Sequence, residues 1–600
     1  CFRGQSHMAR VSGHRVAHRW IGRALTPVMV ACLVCVAAPA VAVAQVTAFP
    51  GPGTRFAVPT AQITFRGAAP AEIGAVRVTG SKSGVHTGML KADPDGRGAT
   101  FVATEPFAAG ESVTVTTGLD VRGASGGTFR FTVTHPAAPL APGKLPRVVA
   151  GHGQLQHFRS RQDLVPPAVA VRGRAPAGEG DIFVAPQFGP AENGPMILGP
   201  HGDLIWFRPT PIGRNMLSTD FRVQDLHGKP VLTWWQWGMN HGHGIGEGVI
   251  LDENYHQLAV VHAGNGLKMD LHEFLVTPQG EAYIIATSPV WLRGHARPVI
   301  DDVIQGIDIQ SGLTLFQWHS LDHIKLDESY VFGPKQPGHV LDPCHLNSIS
   351  LDRDGNLIVS ARNTSAVYKI DHATGKVLWR LGGKRSNFTM GPGTRTAFQH
   401  DAVAQSDGTI TLFDDGAGPP RVEPFSQARR VSLNFATMTA TLVKSYGHSP
   451  ALSANFEGSA QVLQNGDVFL GWGQRQFFSE DNAAGDQVFD ARFEAPTSSY
   501  RAYRSVWHGR PTTRPALSLS TGAHNAVFTH ESWNGATEVS GWRVLSGPTP
   551  TSLARTRSAR KFKFESTIVI HNRARYVAVQ ALGANGAVLA TSEAVAVPGR

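Results

Sequence analysis

The sequence predicts an all-β protein: a six-bladed β-propeller flanked by an N-terminal immunoglobulin-like β-sandwich and a C-terminal fibronectin-like β-sandwich. Two observations predict this fold class. Short segments of alternating apolar and polar residues recur between Gly, Asn and Asp turns, whereas no long segment repeats its apolar residues with the helical period. The 65 Gly and 39 Pro also favour turns over helices.

The first residues have the pattern of a targeting segment. Arginines precede an apolar run over residues 24–44, which ends in an A-x-A pattern before Gln45. Basic residues, an apolar run and small residues at the cleavage site are typical of a signal peptide. We therefore assign residues 1–44 to a signal peptide and expect a secreted or cell-surface protein, or a membrane-anchored one if the run is not cleaved.

Cysteine usage bears on disulfides and on zinc. Three of the four cysteines precede residue 45, which leaves Cys344 in the mature chain. A single cysteine forms neither an intramolecular disulfide nor a Cys-based zinc site. Cys344 precedes His345, but neighbours on a strand point to opposite faces, so a small buried residue is the expectation and a nucleophilic thiol the alternative.

The net charge of +10 at pH 7 is unevenly distributed. Residues 1–44 contain five arginines and no acidic residue, and residues 511–600 contain ten basic residues against four glutamates, so the middle of the chain is nearly neutral. No basic patch with interleaved aromatic residues accompanies the charge, and we expect no nucleic-acid partner. The basic C-terminal region could contact an anionic cell surface, or could be an ordinary solvated face.

The strand pattern divides the chain into modules. Residues 45–137 form the predicted immunoglobulin-like sandwich, and residues 138–175 are a Pro- and Ala-rich linker leading into the propeller. The propeller covers residues 176–510, and residues 511–600 form the fibronectin-like sandwich. The strands predicted in the two terminal modules are 61–66, 75–79, 99–104, 112–117, 128–134, 538–545, 567–571, 576–582 and 588–597.

The propeller prediction rests on a repeat that is clearest in residues 341–384. An apolar run after His345 is followed by predicted strands at 357–362, 366–370 and 377–380, with turns between them. The same outline recurs from His272 and from His400. The other predicted blades lie at 181–207, 219–268 and 455–504, the last ending in a strand at 500–503.

Three predicted blades open with a histidine. The first strand of each propeller blade lines the central channel, so His272, His345 and His400 are expected to meet around one small space. Three converging imidazoles indicate chemistry or metal binding, whereas an isolated histidine is more often a satisfied core or surface residue.

Five segments from Phe158 to about Arg504 carry a resemblance to a known family. They read FRSRQDLVPPAVAV, DLHEFLVTPQGEAYII, CHLNSISLDRDGNLIVSARNTSAVYKID, GKVLWRLGGK and AFQHDAVAQSDGTITLFDDG. In this order they resemble the bacterial arylsulfotransferases, aryl-sulfate sulfotransferases that use no nucleotide sulfate donor. The resemblance covers more than half of the mature chain.

The resemblance implies a reaction and a set of residues. It implies transfer of a sulfuryl group from a phenolic sulfate donor to a phenolic acceptor, with ping-pong kinetics through a sulfohistidine and with neither cofactor nor metal. His400 matches the histidine that becomes sulfated, and Arg362 matches an arginine that would hold the sulfuryl oxygens. His272 and His345 would bind oxygens and exchange protons, while Asn347 would orient His345 or donate to an oxygen.

The sequence also departs from the family pattern. Better-known periplasmic members carry a disulfide near the active site, which the lone Cys344 rules out. The chain resembles instead the actinobacterial branch of the family, which has added sandwich domains. In that branch the fold and the histidines do not fix the identity of the donor and the acceptor.

Two other classes of function stay open. A non-catalytic extracellular propeller could bind glycans or proteins, and three histidines could hold zinc for metal-assisted hydrolysis of a sulfate ester. His241 and His243 with Glu247 also have metal-ligand spacing, although a Gly-rich loop explains them equally. The run from Asp352 to Gly355 reads as a calcium loop or a hairpin turn.

Two further groups of residues have paired interpretations. Asp414 and Asp415 follow a predicted strand and could orient His400 or form a turn. Trp234, Trp235 and Trp237 pack between blades or form an aromatic wall for a phenolic ring, and packing is favoured.

Overall fold

The computed structural model describes residues 45–145, 151, 154–173, 180–210, 216–331, 340–416 and 421–599. The predicted signal peptide and parts of the predicted linker lie outside these ranges. The described chain is built of strands, as the sequence predicts, and its helical turns are Pro70–Glu72, Ser320–His323 and Leu326–Glu328. None of the helices in these ranges has the length and apolar character needed to span a membrane.

The N-terminal region is a pair of four-stranded antiparallel sheets around one apolar core that includes Phe65, Phe101 and Phe131. In sheet order the strands are Thr47–Phe49, Ile63–Arg66, Gly98–Ala103 and Gly88–Ala92, and then Gly84–His86, Val76–Gly80, Ser112–Thr117 and Thr128–Thr132. All five strands predicted here are present, each within two residues of its predicted ends. Alternation of apolar and polar residues is therefore a sufficient signal in this region.

The described residues 169–505 form five sheets, one of which has eight strands. We divide this sheet into two antiparallel meanders, which are joined by the pairing of Gly246 with Met269, and so number six meanders from first to sixth. The strands of the first meander are Ser498–Ser505, Asp181–Gln187, Met196–Leu198 and Leu204–Phe207, and those of the second are Leu217–Leu226, Lys229–Asn240, His243–Leu251 and Gln257–Val261. The third contains Lys268–Val276, Glu281–Val290, Val299–Asp308 and Thr314–His319, and the fourth contains Leu346–Leu351, Leu357–Ala361, Ala366–Ile370 and Val377–Gly382. The fifth contains His400–Ala404, Ile410–Asp414, Gln427–Asn434 and Thr439–Tyr446, and the sixth contains Ser459–Val462, Val468–Gly471, Phe477–Asp481 and Gln487–Phe493. An edge strand is added to the fifth by Thr389–Met390 and to the sixth by Val169–Gly173.

The fourth meander matches its prediction closely. The strands predicted at 357–362, 366–370 and 377–380 are Leu357–Ala361, Ala366–Ile370 and Val377–Gly382. Every residue of Leu357–Ala361 is buried. A strand covered on both faces reads as a continuous apolar run, which is why this segment shows little alternation.

The structure corrects the predicted order at the two ends of this region. The pattern places 500–503 in the sixth unit and residues up to 175 in the linker, whereas Ser498–Ser505 pairs with Asp181–Gln187 in the first meander and Val169–Gly173 completes the sixth. Each end of the region thus contributes a strand to the meander formed by the other end. Local patterning predicts that a strand exists but not which strand it pairs with, and that is why the prediction was wrong.

A circuit of hydrogen bonds joins the first strands of neighbouring meanders. Backbone N–H groups of one strand donate to side-chain oxygens of the strand before it: Phe274 to Asp220 (3.1 Å), Ile349 to Glu273 (3.2 Å), Ala402 to Ser348 (2.9 Å), Ala460 to Asp401 (2.9 Å) and Ala502 to Ser459 (3.1 Å). The buried Arg501 closes the circuit by donating to Asp220 Oδ1 at 2.9 Å. The six first strands are therefore joined to one another in a closed cycle of hydrogen bonds.

The C-terminal region also forms two sheets around one core, which includes Trp542, Val577 and Val579. The strands are Ala516–Thr521, Ala526–Ser532 and Ser566–His571, and then Ser552–Arg560, Gly541–Thr549, Tyr576–Leu582 and Val588–Thr591, with Val595–Ala596 also paired to Tyr576–Leu582. The predicted strand 538–545 begins and ends later than expected, and 588–597 is divided into two. Asn534 joins this region to the first meander through hydrogen bonds with the backbone of Phe207.

Candidate active site

The three histidines expected to meet, His272, His345 and His400, line one cavity of about 560 Å³ together with Arg362. The ring centroids of His272 and His345 are 4.8 Å apart, and those of His272 and His400 are 6.4 Å apart. The convergence expected from the repeat is therefore present. Asn347 differs from the expectation: it is fully buried outside the cavity lining, and its Nδ2 donates to the backbone oxygen of Gln399 at 2.8 Å.

Asn347 thus supports the peptide that precedes His400, and no hydrogen bond joins its described side chain to His345. Both residues lie near the start of the fourth meander's first strand, where the pairing slips between Leu346 and Ser348. A slip in register changes the side to which the following residues point. The simple i, i+2 rule, which predicts that His345 and Asn347 share a face, fails for this reason.

His400 has the hydrogen bonds of a neutral nucleophile. Its Nδ1 lies 2.6 Å from Asp415 Oδ2, and the backbone N–H of Glu457 donates to its Nε2 at 3.3 Å. Because Nε2 accepts a hydrogen bond, the ring proton lies on Nδ1. Burial lowers the pKa of His400 well below its usual value, and the nearby charge of Arg362 lowers it further. The imidazole is therefore neutral at neutral pH, with its lone pair on Nε2.

All three histidines are held in the same way, by a carboxylate on Nδ1. Asp270 Oδ1 is hydrogen-bonded to His272, Asp342 Oδ2 lies 2.5 Å from Nδ1 of His345, and Asp415 serves His400. We refer to these as the Asp–His pairs. A carboxylate on Nδ1 fixes the tautomer and ring orientation and leaves Nε2 available for chemistry.

Two of these carboxylates lie close in the sequence to the histidines that they hold. Asp270 lies two residues before His272 and Asp342 three residues before His345. Asp414 and Asp415 were expected either to orient His400 or to form a turn, and Asp415 is the one that contacts His400. Asp414 instead forms an ion pair with Arg429 at 2.8 Å.

His243 joins two of the Asp–His pairs. Its Nε2 lies 3.2 Å from Asp342 Oδ2 and its Nδ1 lies 3.5 Å from Asp270 Oδ2. Burial disfavours the charged ring, but the two carboxylates together raise the pKa of His243 well above its usual value. The side chain is thus an imidazolium that neutralises part of the charge on both carboxylates.

His345 has a different protonation state from His243. Burial, together with the neighbouring rings of His272 and His243, outweighs the raising effect of Asp342 and lowers the pKa of His345 to about 4. At neutral pH the ring is neutral, donating from Nδ1 to Asp342. One cationic and one neutral imidazole thus lie with their ring centroids 4.8 Å apart.

Arg362 supplies a positive charge to the cavity. Its guanidinium packs 4.8 Å above the ring of Phe398, and its Nη1 and Nη2 donate to Asn363 Oδ1 at 3.0 Å and to the Asn455 backbone oxygen at 3.2 Å. Its backbone N–H donates to the oxygen of His345 at 3.0 Å. These contacts hold a planar cation beside the histidines, where it can bind oxyanions.

Glu457 was missed as a cavity residue by sequence reasoning. It lines the cavity, its backbone lies in the left-handed region at φ 71°, and burial raises its pKa to about 8. Gln187 Nε2 donates to its Oε1 at 3.4 Å. Glu457 lies two residues before Ser459–Val462, the first strand of the sixth meander, close to the places that His345 and His400 occupy at the fourth and fifth. That placement is the signal that could have found it.

Two of the residues with metal-ligand spacing, His243 and Glu247, have different hydrogen-bond partners in the structure. Glu247 accepts a hydrogen bond from Gln236 Nε2 at 3.0 Å, while His243 contacts the Asp–His pairs. A candidate cation group is formed by His243, Asp342 and His345, whose ligand atoms lie within 4.8 Å of one another. Ligands around one zinc ion are roughly 3 Å or more apart, so the 2.5 Å between Asp342 and His345 is a hydrogen-bond distance.

The calcium interpretation and the nucleophilic thiol find no support. Lys369 Nζ lies 2.6 Å from carboxylates of both Asp352 and Asp354, so a lysine occupies the place of a cation in this hairpin. Cys344 is fully buried, and burial raises the pKa of its thiol well above the usual value, with Asp302 adding to the effect.

The tryptophan cluster divides between packing and exposure. Trp234 and Trp235 are fully buried in two apolar clusters, as the packing interpretation predicts. Trp237 is exposed and has a φ of 136°. None of the three is among the residues lining the cavity.

Comparison with known proteins gives a match to one family. Residues 222–494 match the family described as Arylsulfotransferase (ASST), and this range contains all the cavity histidines, Arg362 and the Asp–His pairs. No curated protein matches the sequence.

Similar solved structures include a protein of unknown function from Bacteroides caccae, with 13% identity and a TM-score of 0.34, covering 54% of this chain and 99% of that one. Virginiamycin B lyase from Staphylococcus aureus has 9% identity and a TM-score of 0.28, covering 60% and 94%. An auxiliary nutrient binding protein from Bacteroides ovatus has 9% identity and a TM-score of 0.28, covering 81% and 94%.

Proposed function

We propose that this protein transfers a sulfuryl group from a phenolic sulfate donor to a phenolic acceptor through a sulfohistidine at His400, and the match of residues 222–494 to the arylsulfotransferase family supports this. One observation carries the proposal. A neutral His400, with its proton held on Nδ1 by Asp415, lines the same cavity as Arg362 and two further Asp–His pairs. A nucleophile, an oxyanion-binding cation and proton-exchanging groups are the parts that this reaction needs.

The proposal includes the architecture around the site. The six meanders are the blades of a six-bladed propeller, and the terminal pairs of sheets are immunoglobulin-like and fibronectin-like modules. The hydrogen-bond circuit between first strands, closed by Arg501, supports this assignment. So does the exchange of strands between the two ends of the region, because such exchange is one way to close a ring of blades. The protein is exported, so that both phenols reach it outside the cytoplasm.

The first step forms the covalent intermediate. The Nε2 lone pair of His400 attacks sulfur, and the bond between sulfur and the phenol oxygen breaks with its electron pair leaving on that oxygen. The ring becomes an N-sulfated imidazolium, whose positive charge Asp415 stabilises through the 2.6 Å hydrogen bond to Nδ1. Charge also develops on the sulfuryl oxygens in a loose transition state, and the guanidinium of Arg362 binds it there.

The second step transfers the sulfuryl group to the acceptor and restores unmodified His400. The acceptor phenol loses its proton, its oxygen attacks sulfur, and the bond between sulfur and Nε2 breaks to restore neutral His400. His272 exchanges the proton with the leaving and entering phenols, since its Nδ1 is held by Asp270 and Nε2 is left available. The neutral His345 contributes a second imidazole at a centroid distance of 4.8 Å.

Intact-mass measurement tests the proposal directly. The protein is mixed with 4-nitrophenyl sulfate and no acceptor, beside the variant His400→Ala. We expect the wild type to gain the mass of one SO₃ group, the variant to gain none, and added phenol to discharge the adduct. Release of nitrophenol without any adduct, or an adduct that persists in the variant, would contradict the assignment to His400.

Metal-assisted hydrolysis of a sulfate ester is the second candidate, because His243, Asp342 and His345 form a group that could hold a cation. The two candidates differ in their need for an acceptor and a metal. Hydrolysis predicts steady phenol release in water, lost after treatment with a chelator and restored by zinc. Transfer predicts release that depends on the acceptor and is unchanged by the chelator.

A further inference from the structure

We infer that the segment 135–145, which connects the N-terminal sheets to the meanders, forms a wall of the catalytic cavity, and that Leu140 on this wall limits the size of the phenol that binds. The inference rests on the proposed function for the identity of the ligand. It goes beyond that function by assigning a specificity role to a segment that, by composition, is a linker.

The segment is fixed to the third meander at its beginning. Ala137 N–H donates to the backbone oxygen of Pro289 at 2.8 Å, and Trp291 N–H donates to the backbone oxygen of His135 at 2.8 Å. Pro136 forms a β-bridge with Val290 between these two bonds. The chain therefore runs along the end of the strand Glu281–Val290 as an added piece of extended backbone.

The segment is fixed to the second meander at its other end. Gly143 N–H donates to the backbone oxygen of Met239 at 2.8 Å, and Asn240 Nδ2 donates to the backbone oxygen of Ala141 at 2.6 Å. Leu145 packs against the buried cluster that contains Leu271. Backbone bonds at both ends leave the residues between them little freedom to move away from the cavity.

The packing of the segment on the meander is close. A Cβ atom at Gly238 would lie 2.7 Å from the Cβ of Pro142, closer than side chains approach, so this glycine permits the contact. Leu140 lies between the two fixed ends, is partly buried and lines the cavity. Met239, whose backbone accepts the bond from Gly143, lines the cavity as well.

The composition of the cavity lining defines the class of ligand. Away from the histidines and Arg362, much of the wall is apolar and includes Leu140, Phe188, Leu217, Met239, Ile300 and Phe456. The volume of about 560 Å³ falls within the roughly 300–1,000 Å³ of sites for drug-sized ligands. Arg362 and the imidazoles suit the sulfate, and the apolar wall suits an uncharged aromatic body. The cavity therefore fits neutral phenols with more than one ring.

Size-dependent binding tests this role without requiring turnover. The affinities of phenol and of the two-ring 4-methylumbelliferone are measured for the wild type, Leu140→Ala and Leu140→Trp. A larger side chain should exclude the larger ligand. We therefore expect Leu140→Trp to lower the affinity for 4-methylumbelliferone about tenfold or more and the affinity for phenol much less. Leu140→Ala removes apolar surface from the wall and should lower the affinity for 4-methylumbelliferone about threefold to tenfold.

Ala138→Leu is the matched control, since Ala138 is exposed in the same segment and does not line the cavity. It should bind both ligands as the wild type does, and thermal unfolding should be unchanged in all three variants. Wild-type affinity of both Leu140 variants for both ligands would overturn the inference.

The outcomes separate this inference from the proposed function. If the wild type forms the His400 adduct but the Leu140 variants bind both phenols normally, the wall assignment is wrong and the transfer mechanism stands. If no adduct forms with any donor but the Leu140 variants discriminate the two phenols by size, the wall assignment stands and the transfer mechanism is wrong.

Discussion

Nε2 of His243 lies 3.2 Å from Oδ2 of Asp342, the same carboxylate oxygen that lies 2.5 Å from Nδ1 of His345. One oxygen thus serves two imidazoles, of which one is cationic and the other neutral. His243 also approaches Asp270, the carboxylate that holds His272, at 3.5 Å. A single buried cation therefore couples the orientations of two cavity histidines.

Replacing His243 by glutamine should reduce turnover more than binding. The amide cannot carry the charge that balances Asp342 and Asp270, so both pairs lose part of their support. Loss of a partner that orients a metal-bound histidine costs about 10- to 100-fold in metal affinity or activity, and we take this range as the guide for a partner that orients two cavity histidines. We expect a fall of this size in kcat for 4-nitrophenyl sulfate with a much smaller change in KM, measured by steady-state kinetics.

His262→Gln is the control for this variant, because His262 is an exposed histidine that approaches Glu247 at 3.7 Å outside the cavity lining. It should leave kcat and KM unchanged. Equal effects of the two substitutions, or a change confined to KM in His243→Gln, would argue against a positioning role for His243.

Asp415→Asn should slow formation of the covalent adduct. Burial raises the pKa of Asp415 well above its usual value, although the charge of Arg362 opposes this, and the imidazolium that forms on sulfation favours the ionised carboxylate. An amide cannot supply that charge and allows the wrong tautomer of His400, and loss of the equivalent charge in a serine protease triad costs about 10⁴-fold. We expect a decrease of at least about 10²-fold in the rate at which the protein gains one SO₃ group, followed by rapid-quench mass spectrometry.

The neighbouring substitution Asp414→Asn separates this effect from a loss of stability. Asp414 forms its ion pair with Arg429 and contacts the backbone N–H of Ala397, so its removal should lower the unfolding temperature while the folded protein still forms the adduct. If both variants lose adduct formation equally, the Asp415 hydrogen bond has no special role in the chemistry.

Arg362→Lys should lower kcat/KM although the charge is kept. A lysine ammonium is a point charge and cannot present the planar pair of donors that matches sulfuryl oxygens. Removal of one preorganised oxyanion donor typically costs about 10²- to 10³-fold, and we expect a loss near the lower end of this range. A lysine variant with wild-type kcat/KM would show that charge alone suffices. The control is Arg353→Lys, the same substitution at an arginine in the hairpin turn of the fourth meander.

The sequence contains most of the information needed to find the site. The repeat predicts that His272, His345 and His400 converge, and in the structure His400 begins a first strand, His345 directly precedes one and His272 lies within one. Arg362 directly follows Leu357–Ala361, the strand that pairs with the first strand of the fourth meander. Periodicity and turn residues are local signals, and they place these elements within a few residues.

The remaining features depend on contacts between distant segments. His400 receives its carboxylate from Asp415 across a hairpin, and its Nε2 partner from the backbone of Glu457 in the next meander. The strand Ser498–Ser505 completes the first meander, more than 300 positions away in the chain, and Leu140 reaches the cavity from a Pro-rich segment. No local pattern specifies such partners, because pairing and packing are set by the whole fold.

Glu457→Gln should change the alkaline side of the pH profile. Burial raises the pKa of Glu457 to about 8, so the carboxyl is neutral at neutral pH and becomes charged above about pH 8. A carboxylate in the cavity would repel the sulfate donor, so we expect wild-type kcat/KM to fall as the pH rises through this value. The glutamine variant cannot ionise, and this decrease should be absent or should occur at a higher pH.

The same pKa gives a stability prediction with a definite sign. A glutamate whose pKa is raised in the folded protein binds more protons when folded than when unfolded, between its unfolded pKa of about 4.3 and the folded value. Folding stability is therefore lost as the pH rises through this interval, and the loss is complete above about pH 8. The unfolding temperature of Glu457→Gln, measured relative to that of the wild type, should therefore rise from about pH 5 to about pH 9. Parallel unfolding temperatures over this range would mean that the carboxyl ionises normally in the folded state, and the alkaline decrease in activity would then have to come from another group.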